Sequence, residues 1–198
     1  VIVVKKGLVV VVNRFDNRTV DRFKKDIKFG TMLEKYFFHK WLDIAKVDDP
    51  NLTWEDNGCD NDGEFIASGN TAGADYKVND IPLEIKWVPT AGKFTLKRNN
   101  LKAYIKEDAD ILFIYNTGRA RLKKPANYDL DRHIKLIEKN AFAIRWGIMK
   151  SSEVKRLYKE AEENDLFQPI PYMGNKIGII LRSYDYHKYF EERDWVCK

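Results

Sequence analysis

Apolar residues recur along the chain at several spacings, and each spacing predicts a different element. Between residues 31 and 45, Met32, Leu33, Tyr36, Phe37, Lys40, Trp41 and Ile44 are separated by threes and fours, which predicts a helix with a mostly apolar face. From about residue 52 to residue 88 the pattern shifts to short alternating runs, which predicts strands. A second helix is expected over about 96–107, with Leu96, Leu101, Tyr104 and Ile105 inward, and the unbroken run from Asp110 to Tyr115 reads as a buried strand. A strand, a helix and a strand in that order form a crossover unit. The opening run Val1 to Val12 is split by Lys5, Lys6 and Gly7 and predicts a strand pair. Beyond Asn116, helices are expected near 129–140, 151–163 and 184–193, and strands near 141–148 and 176–182.

With 198 residues, of which 44% are hydrophobic, the chain can bury one sizeable core. No repeat, low-complexity tract or long linker divides it, so a single domain over 1–198 is expected, with a core over about 30–116 and an extension over about 117–198. A 33% share of charged residues argues against a membrane protein, and the 13% aromatic content argues against a disordered one. Every apolar run is far shorter than the roughly 20 residues a spanning helix needs, and the order of a signal peptide is missing, so an intracellular protein is expected. Cys59 and Cys197 are the only cysteines, which excludes a disulfide framework or a four-cysteine zinc site and leaves two free thiols. A net charge of +5 favours an anionic partner without naming one.

The acidic segment from Glu55 to Gly63 invites a calcium-loop reading. It fails the EF-hand spacing: with Gly63 sixth, position one is Gly58 and position twelve is Gly69, so a solvated hairpin loop is expected instead. His39, His133 and His187 have no metal-ligand or triad spacing with the acids.

The stretch Gly73 to Trp87 carries the chemistry. Side chains alternate along a strand, so Leu83, Ile85 and Trp87 share one face while Glu84 and Lys86 share the other. Asn79 and Asp80 tolerate left-handed backbone angles and are read as a two-residue turn joining a strand at 74–78 to one at 81–88. In that register paired positions sum to 159, Asp75 faces Glu84 with Cβ atoms about 4.5–5.5 Å apart, and Gly73 faces Lys86. Opposed like charges destabilise a sheet unless something offsets them, and a divalent cation would. Hard cations take oxygen ligands and keep waters, so two carboxylates leave room for a water and a phosphate oxygen, and the Lys86 ammonium beside them could orient or deprotonate that water.

These residues resemble the PD-(D/E)xK phosphodiesterase superfamily: Asp75 matches its first acid, and Glu84-Ile85-Lys86 its acid-x-lysine triplet. The resemblance spans roughly residues 30–116 and departs from the pattern at Ala74, where the superfamily has proline. It implies an α/β restriction-endonuclease-like core of helix, three-stranded antiparallel meander, helix and strand, followed by a C-terminal α/β extension. It further implies Mg2+, with Mn2+ as substitute, held by Asp75, Glu84 and the Ile85 carbonyl, with catalysis by Asp75, Glu84 and Lys86, and products ending in 5′-phosphate and 3′-hydroxyl. Many superfamily members also donate a glutamate from the first helix, which makes Glu34 a candidate ligand. Thr31 to Glu34 equally reads as a capping box, with Glu34 bonded back to the helix start. Asn100 and Tyr104 are similar to a glutamine-x-x-x-tyrosine helix motif of some members, although Tyr104 also reads as core.

Candidate DNA contacts are Lys97 and Lys102 on the second helix, together with Arg119, Arg121, Lys123 and Lys124 in the loop after the last core strand, where a phosphate backbone would attract them. Solvated surface charges are the alternative for all six. The expected function is a magnesium-dependent DNA endonuclease of a bacterial, archaeal or phage-infected cytoplasm. A junction or other structure-selective nuclease, and a non-catalytic DNA-binding module of the same fold, stand as alternatives. DNA is the expected partner, a membrane is not, and a homodimer stays open.

Overall fold

The computed structural model describes residues 2–5, 8–11, 20–57, 73–89, 93–170 and 176–195. Cys59, Cys197 and most of the acidic loop lie outside these residues. No helix among the described residues is long and apolar enough to cross a membrane.

The fold is mixed α/β, with a mostly antiparallel sheet between helical layers. Strands β1 (Ile2–Lys5) and β2 (Leu8–Val11) pair antiparallel, as the split apolar run requires. Helix α1 (Val20–Asp48) is followed by β3 (Trp54–Asp56), β4 (Tyr76–Val78) and β5 (Ile81–Val88), which form an antiparallel meander. Then come β6 (Lys93–Lys97), α2 (Arg98–Lys106) and β7 (Asp110–Asn116), with β7 parallel to β5. The expected order of helix, three antiparallel strands, helix and strand is therefore present, with β6 inserted before α2.

The extension adds α3 (Leu130–Lys139), β8 (Ile144–Met149), α4 (Ser151–Glu163), β9 (Gln168–Ile170), β10 (Lys176–Arg182), a 3-10 turn at Ser183–Lys188 and β11 (Arg193–Asp194). Its β8 and β11 complete a six-stranded sheet of order β11-β8-β7-β5-β4-β3, while β6, β10 and β9 make a separate three-stranded sheet.

All seven residues of β7 are buried, the mark of a central strand covered on both faces. Leu112 and Ile114 face one cluster with Leu83, Ile85 and the apolar stripe of α1, where Phe38 stacks on Tyr76 at 3.6 Å and Phe37 meets Trp87 at 4.2 Å. Ile111, Phe113 and Tyr115 face the other cluster, built from Phe94, Leu101, Tyr104, Val154 and Leu157 among others. The sheet is thus packed on both sides, and a polar residue in either layer needs a partner.

Three expectations are corrected. The first helix begins well before residue 31: Gly30 looks like a boundary because glycine costs about 1 kcal/mol in a helix, but buried Phe29 and the contacts of Asp26 with Lys124 and Tyr128 carry the helix through it. Leu96 lies in a strand, where Phe94 and Leu96 are buried between the more exposed Lys93, Thr95 and Lys97. The expected helix at 184–193 is a 3-10 turn followed by an edge strand. There Arg193 pairs with Trp146 and the Trp195 N–H reaches the Ile144 carbonyl, so the sheet edge captures the chain.

Candidate active site

The turn that sets the register forms as expected. Asn79 and Asp80 have φ of 48° and 63°, and Tyr76, Lys77 and Val78 pair with Leu83, Pro82 and Ile81, each pair summing to 159. The Asn79 side chain anchors the turn by accepting from the Thr53 N–H at 2.9 Å and donating to Asp49 at 3.2 Å. Regular pairing stops at Tyr76, one residue short of Asp75. The Asp75 carboxylate instead accepts the Ile85 N–H at 2.9 Å. A strand residue points its N–H and C=O to the same side, so the Ile85 carbonyl also projects toward Asp75.

The backbone around Asp75 is pinned from two directions. The Ala74 N–H donates to Glu107 at 3.0 Å, while Asn57 donates from its side chain to the Ala74 carbonyl and from its backbone to the Asp75 carbonyl. A proline at position 74 has no N–H to give Glu107. Ala74 therefore gives the backbone before Asp75 an anchor that proline would lack. Glu107 and Asn57 were not singled out from the sequence, and no local motif marks them.

Glu84 is 5% exposed. Its Oε1 receives the Lys86 ammonium and the Tyr104 hydroxyl, the latter at 2.7 Å, and Tyr104 in turn accepts from Asn100 at 3.3 Å. Tyr104 is buried as a core residue and also touches the acid, so the helix pair Asn100 and Tyr104 enters the site. Burial holds the Tyr104 hydroxyl protonated far above its ordinary range, which keeps it a donor to Glu84.

Glu34 reaches the same region from α1. Burial is the main cause that pushes its carboxyl up to about 7, with the Lys86 ammonium opposing and the Asp75 carboxylate adding to the rise. Because Thr31 lies inside α1 rather than at its start, the capping-box alternative is removed. Lys97 also belongs to this neighbourhood: burial, then Lys176 and Lys86, lower its ammonium pKa.

The remaining candidates lie elsewhere. Lys102 is exposed on α2, on the side of Glu162, whose carboxyl it helps hold down. Arg119, Arg121 and Lys123 are exposed in the loop after β7, whereas Lys124 is engaged by Asp26 and lies 4.2 Å over the Tyr128 ring.

Asp75, Glu84 and Lys86 are thus brought to one edge of β5, with the Ile85 carbonyl on the Asp75 side and Glu34 coupled electrostatically to them. Among the described residues no group of three or more His, Cys, Asp or Glu is arranged to hold a metal ion. The ladder ends before Asp75 could pair with Glu84, so the donors here are the Asp75 carboxylate bonded at Ile85, the Glu84 carboxylate and a backbone carbonyl, oxygen donors of the kind a hard cation completes with water. Compared with known protein families, curated proteins and solved structures, the chain matches none of them.

Proposed function

We propose that the chain is a magnesium-dependent nuclease of restriction-endonuclease-like architecture that hydrolyses DNA phosphodiester bonds. The observation that carries this reading is the convergence of Asp75, Glu84 and Lys86 at the β5 edge where β4 stops. The element order through β7 and the mixed sheet agree with that architecture.

Asp75, Glu84 and the Ile85 carbonyl would hold Mg2+, with Mn2+ as a substitute, and Glu34 would act as an outer carboxylate through its electrostatic coupling to Asp75 and Lys86. Bound there, the ion supplies Lewis acidity toward the phosphate and lowers the pKa of a coordinated water. Lys86 would position the attacking water and offset the charge that builds on the phosphate oxygens. Tyr104 and Asn100 hold Glu84 in orientation, and Glu107 and Asn57 hold Asp75. Water would add to phosphorus, giving up a proton to solvent, as the bond to the 3′ oxygen breaks and that oxygen takes up a proton from solvent, leaving 5′-phosphate and 3′-hydroxyl ends. The setting is the cytoplasm of a bacterial, archaeal or phage-infected cell, where DNA is accessible.

A second reading has its own observation. Glu84 already has Lys86 and Tyr104 as partners, so the cluster could be a structural ion network. Magnesium separates the two. Plasmid, linear duplex, single strand and four-way junction are incubated with the native protein and with Lys86→Ala, and binding is measured in parallel with calcium in place of magnesium. The nuclease reading expects cleavage of at least one substrate, its near-complete loss in Lys86→Ala, and binding retained in both. Cleavage by Lys86→Ala at the native rate would refute the assignment, and no native cleavage of any substrate would leave the structural network.

A further inference from the structure

A cleft of about 680 Å³ opens between α3 and the loop that precedes it. Its uncharged lining comes from Pro125, Ala126, Asn127 and Leu136, with buried His133 behind, and its cations are Lys123, Arg132, Lys135 and Lys139. Arg132, Lys135 and Lys139 sit at i, i+3 and i+7 on α3, which puts them along one side of the helix. All four cations are exposed, and no carboxylate lines the cleft. None of the four forms an ion pair with a carboxylate among the described residues, in contrast to neighbouring Lys124, which Asp26 engages. Behind this lining, His133 is 2% exposed, and its Nδ1 is closed off from solvent without a hydrogen-bond partner.

Four unneutralised cations around an apolar wall match a ligand with anionic groups spaced along a flat apolar body. Nucleotides have that form, because every base offers a π-face and every linkage a negative charge. We propose that this cleft is a second nucleic-acid contact, in which a base rests on the apolar wall and the adjoining phosphates meet Lys123, Arg132, Lys135 and Lys139. The choice of a strand over a free nucleotide rests on the nuclease reading; the phosphate chemistry is common to both. An acidic peptide without apolar side chains would satisfy the cations and leave Pro125, Ala126 and Leu136 uncovered.

The test is fluorescence anisotropy of a labelled single-stranded oligonucleotide, in calcium, across a salt series. The cleft variant is Arg132→Gln/Lys135→Gln/Lys139→Gln, and the control is Lys46→Gln/Lys155→Gln/Lys159→Gln, three exposed cations away from the cleft. A cleft contact should weaken binding at least tenfold in the cleft variant and flatten the slope of log affinity against log salt by about 2, since each lost single-strand phosphate contact removes about 0.7. The control should change both far less. Ala126→Trp fills the cleft without altering charge and should also weaken binding, so the proposal stays open to refutation even if the triple variant folds poorly.

Equal losses in the cleft and control variants, or native affinity in Ala126→Trp, would overturn the cleft. Competition arms use a mononucleotide, inorganic phosphate and polyglutamate. Displacement of the strand by polyglutamate at lower charge concentration than by unlabelled oligonucleotide would assign the cleft to an acidic protein segment, and preferential displacement by the mononucleotide would assign it to a free nucleotide. Either result overturns the strand. Cleavage with magnesium is scored separately: a protein that binds through the cleft without cutting loses the nuclease reading alone, and one that cuts with unchanged cleft-variant binding loses the cleft alone.

Discussion

The Asp75 carboxylate accepts the Ile85 N–H at 2.9 Å, in the place where a longer β4 would have continued the ladder. One hydrogen bond thereby ties Asp75 to β5 beside Glu84 and Lys86 and leaves the Ile85 carbonyl directed to the same side. The site depends on a strand ending early.

This bond separates the structural role of Asp75 from its chemical one. Asparagine keeps an oxygen for the Ile85 N–H and removes the charge, so Asp75→Asn should retain the fold without metal. With magnesium at a hundred times its dissociation constant, the native protein should gain about 2.7 kcal/mol, and the variant much less. Thermal melts with and without magnesium or manganese measure this, and equal gains would remove Asp75 from the metal site.

The β4–β5 register that brings Asp75 against Ile85 depends on left-handed backbone at Asn79 and Asp80, φ 48° and 63°. Asp80→Val places a branched side chain where that conformation costs roughly 1–2 kcal/mol, so it should lower the melting temperature and reduce cleavage. Asp80→Gly fits the same angle and should preserve both. Asp80 is the position to test, because Asn79 also ties the turn to Thr53 and Asp49. If the valine and glycine variants melt together, the turn does not set the register.

The turn and the alternation of β5 were legible because both are local: two residues fix the angles, and a period of two fixes the faces. The strand at 176–182 and the helix at 151–163 were legible for the same reason. The sequence did not disclose that Glu107 anchors Ala74 or that Glu34 shares a field with Asp75, since both relations join residues far apart in the chain. Leu96 was misplaced although its alternation with Lys93, Thr95 and Lys97 was readable, because the helix starting at Arg98 drew the short strand into its pattern. The end of the chain was misread because Tyr186 and Phe190 keep helical spacing while the edge of β8 offers unpaired backbone groups.

Tyr104 offers a test of how Glu84 is held. Phenylalanine there preserves the buried ring and removes the hydroxyl that donates to Glu84 at 2.7 Å. If that bond positions the acid, Tyr104→Phe should reduce kcat or metal affinity by roughly 10- to 100-fold, the usual cost of losing a partner behind a ligand, with KM for DNA little changed. A purely packing role would move only the melting temperature. The readouts are kcat and KM against DNA, and the magnesium concentration that gives half-maximal activity.

His133 gives a pH dependence of known sign that is separate from the candidate active site. Burial lowers its pKa below the ordinary 6.5, against the Phe29 ring at 5.5 Å. Below about pH 6.5 the unfolded chain therefore binds a proton that the native protein resists, and the unfolded state gains. The His133 contribution is fully present above 6.5, declines as the pH falls toward the depressed native value, and changes no further below it. His133→Phe removes the titration, and it also removes the Nδ1 that is buried without a partner, a burden of about 1–3 kcal/mol. The variant should equal or exceed the native protein in stability at pH 8, and its advantage should widen as the pH is lowered through 6.5. Urea unfolding of both proteins from pH 8 to pH 5 isolates the effect, because all other titrating groups are shared. A stability difference that stays constant over that range would show that His133 takes up its proton as readily folded as unfolded.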